Sequence, residues 1–131
     1  MATENKVLDL PLVADEDLSN DQYRYVVIDT TSGKVRRPNA ATDIACGILQ
    51  NAPAADEAAT VRPLGCGGVS KVQLGATLTA GAIVQAEYVS ASDAGKAIAA
   101  VATGYPAGLL ITGGAEDELG SVLLTPITVK A

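Results

Sequence analysis

The sequence predicts an all-β protein, a small barrel or sandwich of short strands built from two repeated units with pseudo-twofold symmetry. Short runs rich in β-branched residues are each bounded by Gly, Pro, Asn or Asp. Residues 47–61, GILQNAPAADEAATV, return 61 positions later as residues 108–122, GLLITGGAEDELGSV. The chain has 131 residues, 48% of them hydrophobic but only 3% aromatic. That length suits one domain, with a core of Val, Ile, Leu and Ala.

The first 22 residues predict an extended acidic arm in front of a single β domain at residues 23–131. The arm's only cation is Lys6, set against Glu4, Asp9, Asp15, Glu16, Asp17 and Asp21. Its apolar residues surround Pro11, which disfavours a helix and favours an extended segment. We expect that removing residues 1–20 leaves the fold intact.

From Tyr23 onward the chain predicts strands in the order YRYVVID, VRR, GILQ, TVRPLG, VSKVQL, AIVQAEYV, GLLIT and SVLLTPITV. The TTSGK turn between the first two places Gly33 where φ can be positive. One segment, DAGKAIAAVATG, is ambiguous because its alanines favour a short helix. It has no helical apolar stripe, and Gly95 and Gly104 interrupt it, so we predict a strand there.

The repeat extends beyond the two quoted segments, over about residues 23–62 and again about 85–123. A shift of one further residue aligns Gly33-Lys34 with Gly95-Lys96, and Val27 with Val89. We expect a bulge or a close backbone approach at each repeated glycine, solvated turn tips at the Asp-Glu pairs, and one core shared by both halves. The repeated residues are Gly47, Leu49, Asp56, Glu57 and Val61, matched by Gly108, Leu110, Asp117, Glu118 and Val122.

Catalytic, cofactor-binding and metal-binding residues are not predicted. The chain has no His, the commonest general base and metal ligand. Neighbouring carboxylates on an extended chain point to opposite faces, and no calcium-loop spacing occurs. Cys46 and Cys66 without His make no recognisable zinc site, and we expect both to be reduced and buried. Lys34 and Lys96 could suggest a lipoyl or biotinyl carrier, but a carrier uses one such lysine, whereas here both copies carry Gly-Lys.

Charge, hydropathy and the N-terminal residues limit the partners and the location that the sequence predicts. The net charge is −6, with no basic face and few aromatic residues for stacking, so we expect no nucleic acid partner. No stretch approaches the ~20 apolar residues of a membrane span. The N-terminus, MATENKVLDL, lacks the pattern of a signal peptide, which predicts synthesis in the cytoplasm. A core poor in aromatic residues buries little area per residue, so we expect association with other copies or partners.

The order of these phrases resembles the capsid cement, or head decoration, proteins of tailed bacteriophages. The resemblance covers about residues 23–125 and lies in YVVIDTTSGKV, CGILQNAPAADEAATVRPLG, SKVQLGATLTAGAIV, VSASDAGKA and AGLLITGGAEDELGSVLL. It departs from the family where Ala82 replaces a frequent acidic residue, and in the longer acidic leader. It implies a non-enzymatic protein of the virion that is made in the host cytoplasm, binds the outer capsid surface as a dimer or trimer, and bridges major capsid subunits.

For such a protein the candidate capsid or oligomer contacts are the apolar residues of the arm and the most concentrated positive charges. These residues are Leu8, Leu10, Leu12, Val13, Arg36, Arg37 and Arg62. The alternative hypothesis is a phage surface or tail-associated β module that recognises a host surface. The shortage of aromatic residues disfavours that alternative, because glycan-binding faces usually stack sugars on aromatic rings.

Overall fold

The computed structural model describes residues 2–65 and 67–127, and within them it contains strands but no helix. The all-β prediction is therefore confirmed, and the ambiguous segment DAGKAIAAVATG contains a three-residue strand, Ala97–Ala99, and no helix. Cys66 and the end of the predicted SVLLTPITV strand, from residue 128, lie outside the described residues. The strands are β1 (Asn5–Lys6), β2 (Leu10–Val13), β3 (Tyr25–Ile28), β4 (Val35–Arg36), β5 (Gly47–Leu49), β6 (Ala58–Pro63), β7 (Gly68–Gln73), β8 (Ile83–Ala86), β9 (Ala97–Ala99), β10 (Gly108–Thr112) and β11 (Leu119–Leu123).

The strands form two antiparallel sheets, and the five strands of the smaller sheet correspond in order to five of the six strands of the larger one. One sheet has the order β2-β6-β5-β3-β4, and the other has the order β1-β7-β11-β10-β8-β9. An isolated parallel bridge joins Ala14 to Val35 in the first sheet, and another joins Leu74 to Ala97 in the second. Each bridge brings the last strand of its sheet back to β2 or β7, so both sheets curl towards closure. We call β2–β6 the first unit and β7–β11 the second unit.

The repeat begins one strand earlier than the sequence predicts, because β2 and β7 occupy the same position in their sheets. The predicted match of Val27 with Val89 is wrong. Val27 pairs with Arg36 on β4, as Gln85 pairs with Ile98 on β9. Val89 instead lies in the connection between β8 and β9. That connection, residues 87–96, is four residues longer than its counterpart at residues 29–34, and an insertion moves every later match.

Two clusters of buried side chains replace the single shared core that the sequence predicts. The first cluster fills the first unit with Ala14, Leu18, Val26, Val35, Leu49, Ala59 and Val61. The second fills the second unit and also takes side chains from the first, and its members are Tyr25, Ala45, Ile48, Val72, Leu74, Val84, Ala97, Ala107, Leu110, Val122 and Leu124. Because a curled sheet encloses its own interior, each unit buries most of its apolar face by itself.

The predicted N-terminal arm contributes to both sheets. β1 pairs with β7 in the second unit, and β2 pairs with β6 in the first. Further along, Ala14 and Leu18 are fully buried in the first core. The first part of the arm is extended in β1 and β2, whereas bends and turns follow from Asp15 onward. Removing residues 1–20 would take a strand and two core side chains from the first unit. As a domain boundary, residue 22 stays a prediction.

Candidate interaction surfaces

The repeated lysines and aspartates form the same ion pair in both units. Lys34 Nζ lies 2.7 Å from Asp56 Oδ1, and Lys96 Nζ lies 2.6 Å from Asp117 Oδ1. Asp56 and Asp117 both have positive φ, 66° and 70°, a region that aspartate tolerates better than most residues. Each lysine therefore anchors a turn through its ion pair. This gives both lysines a structural role, unlike the modified lysine of a lipoyl or biotinyl carrier.

Lys96 is held more tightly than Lys34. Its ammonium also lies 2.6 Å from Asp93 Oδ1, and its side chain is nearly buried, whereas the Lys34 side chain is partly exposed. Burial alone would lower the pKa of Lys96, but the bonds to Asp117 and Asp93 outweigh it and raise that pKa. Lys96 therefore stays protonated, and it is not a nucleophile.

The glutamates that follow the aspartates close the same turns. The Ala54 N–H donates to Glu57 Oε1 at 2.8 Å, and the Ala115 N–H donates to Glu118 Oε1 at 2.6 Å. The two carboxylates of each Asp-Glu pair thus serve different partners and do not converge on a ligand. Among the described residues, no group of three or more His, Cys, Asp or Glu side chains is placed to hold a metal ion.

The repeated glycines lie at close backbone approaches. A Cβ on Gly47 would lie 2.2 Å from the Arg62 carbonyl oxygen, and one on Gly108 would lie 2.4 Å from Val122 Cγ2 and 2.9 Å from the Leu123 carbonyl oxygen. Residues 62 and 123 are equivalent in the repeat, so both glycines face the same backbone position of the neighbouring strand.

The three arginines that the sequence nominates for a capsid contact are engaged within the chain. Arg36 donates to both carboxylate oxygens of Asp43, at 3.0 and 3.1 Å. Arg37 donates to Glu16 at 2.5 Å and to Asp21 at 2.6 Å. The Arg36 guanidinium holds the pKa of the Asp43 carboxyl below its usual 3.8.

Arg62 is the most buried of the three, at 5% exposure. It donates to Asp9 at 2.9 Å, to Glu4 at 3.0 Å and to the Val69 carbonyl oxygen at 2.9 Å. Burial would lower its pKa, but its bonds to Asp9 and Glu4 raise it. Within the described part of the chain, Lys6 is the one cation outside an ion pair; the paired cations are Arg24, Lys34, Arg36, Arg37, Arg62, Lys71 and Lys96.

The apolar candidates from the N-terminal segment divide between the core and the surface. Leu10 and Leu12 are half-buried on one face of β2, and Leu12 packs against the first core. Val13 and Leu8 are exposed, at 39% and 42%. The structure therefore does not bring the seven nominated residues together into one surface, and their role as an interface stays a prediction.

An apolar groove lies where equivalent loops of the two units meet, and sequence reasoning missed it. The cavity has a volume of about 310 Å³ and is lined by Ile44, Leu64, Ala102, Gly104, Tyr105, Pro106, Pro126 and Ile127. Ile44 and Tyr105 are 61 positions apart, so they occupy equivalent sites of the repeat, and they are 59% and 47% exposed. A signal for it exists in the sequence, because Ala41-Thr42 and Ala102-Thr103, which precede these loop residues, are also 61 positions apart. We call this cavity the inter-unit groove.

A second cavity, of about 270 Å³, lies beside the Arg37 ion pairs and includes Glu16, Tyr88 and Val89 among its lining residues. Its charged groups already have partners within the chain. In the described residues, every buried side-chain nitrogen or oxygen has a hydrogen-bond partner. Among the described residues, neither cavity therefore contains a buried, unpaired side-chain nitrogen or oxygen.

Cys46 is half-buried and lacks a disulfide partner among the described residues. Burial raises the pKa of its thiol to about 11, so the thiolate needed for nucleophilic or redox chemistry is scarce at neutral pH. None of the described residues belongs to a helix that could cross a bilayer.

The complete architecture resembles a solved phage structure. The crystal structure of the head fiber gp8.5 N base in bacteriophage phi29 matches with a TM-score of 0.66 and 14% sequence identity. No family model matches the chain, and no curated protein matches it. The match covers 95% of this chain and 98% of the phi29 chain, so the two share essentially one whole fold.

Proposed function

We propose that this chain is a non-enzymatic structural protein of a bacteriophage virion, attached to the outer surface of the head. One observation carries the proposal: a phage head fiber base shares the fold over almost the full length of both chains. Local features support it. The repeated lysines and carboxylates have structural roles in the turns, and burial suppresses the reactivity of the Cys46 thiol.

In its specific form the proposal is a cement protein, active as a dimer or trimer, that bridges neighbouring major capsid subunits. A ligand that binds only the assembled, expanded lattice stabilises that state by mass action. Individual contacts can be weak because they recur over the lattice and each spans more than one subunit. Bridging supplies the mechanism, since no bond needs to be made or broken.

The inter-unit groove is our candidate for the surface that meets the major capsid protein. The arginines are committed to carboxylates of their own chain, so recruiting them for an acidic capsid loop would break internal ion pairs. The groove lining contains no charged residue. In a protein of net charge −6 it therefore offers apolar contact without the cost of separating charges.

Co-sedimentation with heads of the phage that encodes the chain tests the proposal. We expect binding to expanded heads, little binding to unexpanded ones, and a higher disruption temperature for decorated heads. Failure to bind either form would refute attachment to the head. Binding to host cells in place of heads would instead support a tail-associated recognition module.

The neighbour favours a second candidate, a base that carries a projection from the head, because that protein is described as the base of a head fiber. A base and a cement protein would both bind expanded heads. They differ in the stability of the decorated shell, since a pure base leaves the disruption temperature unchanged and a cement protein raises it.

Substitutions in the groove test the proposed contact surface. We expect Ile44→Ser and Tyr105→Ser to reduce head occupancy while the free protein stays folded, because both side chains are largely exposed. Ile111→Ser is the matched control, since Ile111 is 47% exposed but does not line the groove. Equal occupancy for all three variants would exclude the groove as the contact.

A further inference from the structure

Residues 3–7, which we call the strap, are attached to the second unit by polar contacts. β1 pairs with the first two residues of β7, and the Val7 N–H donates to the Gly67 carbonyl oxygen at 3.1 Å. Glu4 bonds Arg62 and lies 3.7 Å from Lys71 Nζ. Apart from Glu4, whose carboxylate points towards Arg62, the strap residues are exposed, and Val7 is 73% exposed. Detachment of the strap would therefore expose little additional apolar surface to water.

The strap is not part of the repeated architecture. The first unit forms its curled sheet from five strands, and the second forms the equivalent five and then adds β1 on the outer edge of β7. Since the first unit builds the same sheet without a sixth strand, the strap is an addition that the unit does not need to fold.

The edge of β7 is shaped to accept this particular segment. Gly68 has a φ of +90°, and a Cβ there would lie 2.3 Å from the Asn5 carbonyl oxygen. The fully buried Ser121 hydroxyl accepts from the Thr3 N–H at 2.5 Å and donates to the Thr3 carbonyl oxygen at 3.1 Å. Together with the guanidinium of Arg62, these groups form a binding site for an extended strand that carries a carboxylate.

We propose that the β7 edge is a strand-exchange site. It binds either the strap of its own chain or, in its place, the strap of a second copy of this chain. Only Leu8 and Asp9 join the strap in one sheet to β2 in the other. Short hinges favour exchange of a terminal element between identical chains. Every strap contact can form between copies as well as within one, and the guanidinium meets the Glu4 carboxylate in either case. The inference stands independently of head attachment.

The equivalent edge of the first unit does not offer such a site. In β2, Leu10 and Leu12 pair with β6 residues Val61 and Ala59. Just past the end of β2, the Ala14 N–H donates to the Glu57 carbonyl oxygen. Because antiparallel pairs alternate, the nitrogen of Pro11 lies on the free side of β2. It has no hydrogen to donate, so a strand added there would lose a ladder bond.

Disulfide trapping tests the exchange. Asn5 and Val69 oppose each other across β1 and β7, and the Cα separation of such pairs suits a disulfide. The variant N5C/V69C, with Cys46→Ala and Cys66→Ala, is oxidised after mixing ¹⁴N-labelled and ¹⁵N-labelled protein. We expect mixed-isotope disulfide-linked dimers whose yield rises about tenfold between about 10 μM and about 1 mM protein. An internal disulfide alone, at every concentration, would overturn the proposal.

The matched control is V13C/A58C in the same background. These residues oppose each other across β2 and β6, inside the five-stranded sheet, and should give only internal disulfides. If N5C/V69C fails to fold, hydrogen exchange of the unaltered chain decides. We expect the Val7 amide to exchange at least about tenfold faster than the Ala14 amide, as a locally opening strand does. Equal protection would refute a detachable strap.

Discussion

Gly47 and Gly108 leave no space for a side chain, because each faces the backbone of the next strand. We predict that Gly47→Ala lowers the free energy of unfolding by about 1–3 kcal/mol, since a Cβ would lie 2.2 Å from a carbonyl oxygen and the strands must separate to admit it. Urea denaturation measures the loss. Gly114→Ala is the control, because the atoms nearest its new Cβ would be side-chain ends, Glu118 Oε1 at 3.1 Å and Leu74 Cδ1 at 3.4 Å, and not backbone. Equal losses in the two variants would contradict this explanation.

The Arg36–Asp43 pair predicts a loss of stability in acid. Asp43 accepts both Arg36 bonds and also the Asn39 N–H. We expect Asp43→Asn to cost about 1.5–3 kcal/mol at pH 7, the range for hydrogen bonds to charged groups. Because the folded state holds the pKa of Asp43 below 3.8, the carboxylate's contribution is complete above that pH and is lost as the pH falls through the folded pKa.

Urea midpoints at pH 7 and near pH 3 measure this dependence, and the gap between the wild-type protein and Asp43→Asn should narrow in acid. Asp56→Asn is the control, because the Asp56 side chain is 75% exposed and asparagine also tolerates a positive φ. We expect it to leave the midpoint almost unchanged. A constant gap for Asp43→Asn at both pH values would show that the carboxylate's charge is not what stabilises the loop.

The repeat was sufficient to predict structural roles for Gly47 and the Asp-Glu pairs, because the same residues in the same order imply the same turn. The Lys34–Asp56 pair was not predictable. It joins residues 22 positions apart whose approach depends on how β4 closes against β2. For the same reason the arginines could be nominated as free charges, since nothing in the sequence reveals that Arg62 lies against Glu4 and Asp9.

At the scale of the elements, β1 and β2 have opposite importance although they are neighbours in the sequence. The strap adds a sixth strand to a sheet that is complete without it, whereas β2 is the edge strand through which the first sheet curls back to Val35. The predicted arm grouped them together because both lie in one acidic, extended segment. Composition alone cannot show that one part of it leads into the fully buried Ala14 and Leu18.

This difference predicts the outcome of two N-terminal deletions. Removing residues 2–7 should leave a folded protein with a slightly lower melting temperature, because few apolar contacts are lost. Removing residues 2–20 should abolish cooperative unfolding of the first unit, since it takes β2 and two core side chains. Thermal melts followed by circular dichroism distinguish the two. A cooperative melt for the longer deletion would show that the first core does not need β2.

At the scale of the whole molecule, the strand types and the duplication were predictable, but the number of cores was not. The residues of the two units are patterned alike, so the sequence supports a shared interior as readily as two separate ones. Whether the protein has one core or two depends on how far each sheet curls around its own interior. Tyr25 then couples the units, because it belongs to a strand of the first unit but packs in the core of the second.

The coupling through Tyr25 predicts how the protein unfolds. We expect one cooperative transition in the wild-type protein, and a loss of about 3–5 kcal/mol in Tyr25→Ala, because a large buried side chain is removed. Tyr25→Phe should cost about 1–3 kcal/mol, since the buried Ala107 carbonyl oxygen loses its 3.1 Å bond from the hydroxyl. Hydrogen exchange of peptides from each unit measures the coupling. If Tyr25→Ala leaves both units opening together at the wild-type midpoint, the residue does not join them.

The longer connection between β8 and β9 gives the duplicated molecule a direction. Residues 87–96 have four more positions than their counterpart at 29–34, so exchanging the two units would not reproduce the same outline. A partner that binds both units at once must therefore distinguish the first unit from the second. On a shell whose sites have twofold local symmetry, each molecule would bind in one of two orientations related by a 180° rotation, and reconstructions averaged over that axis would blur this connection while leaving the shared strands sharp.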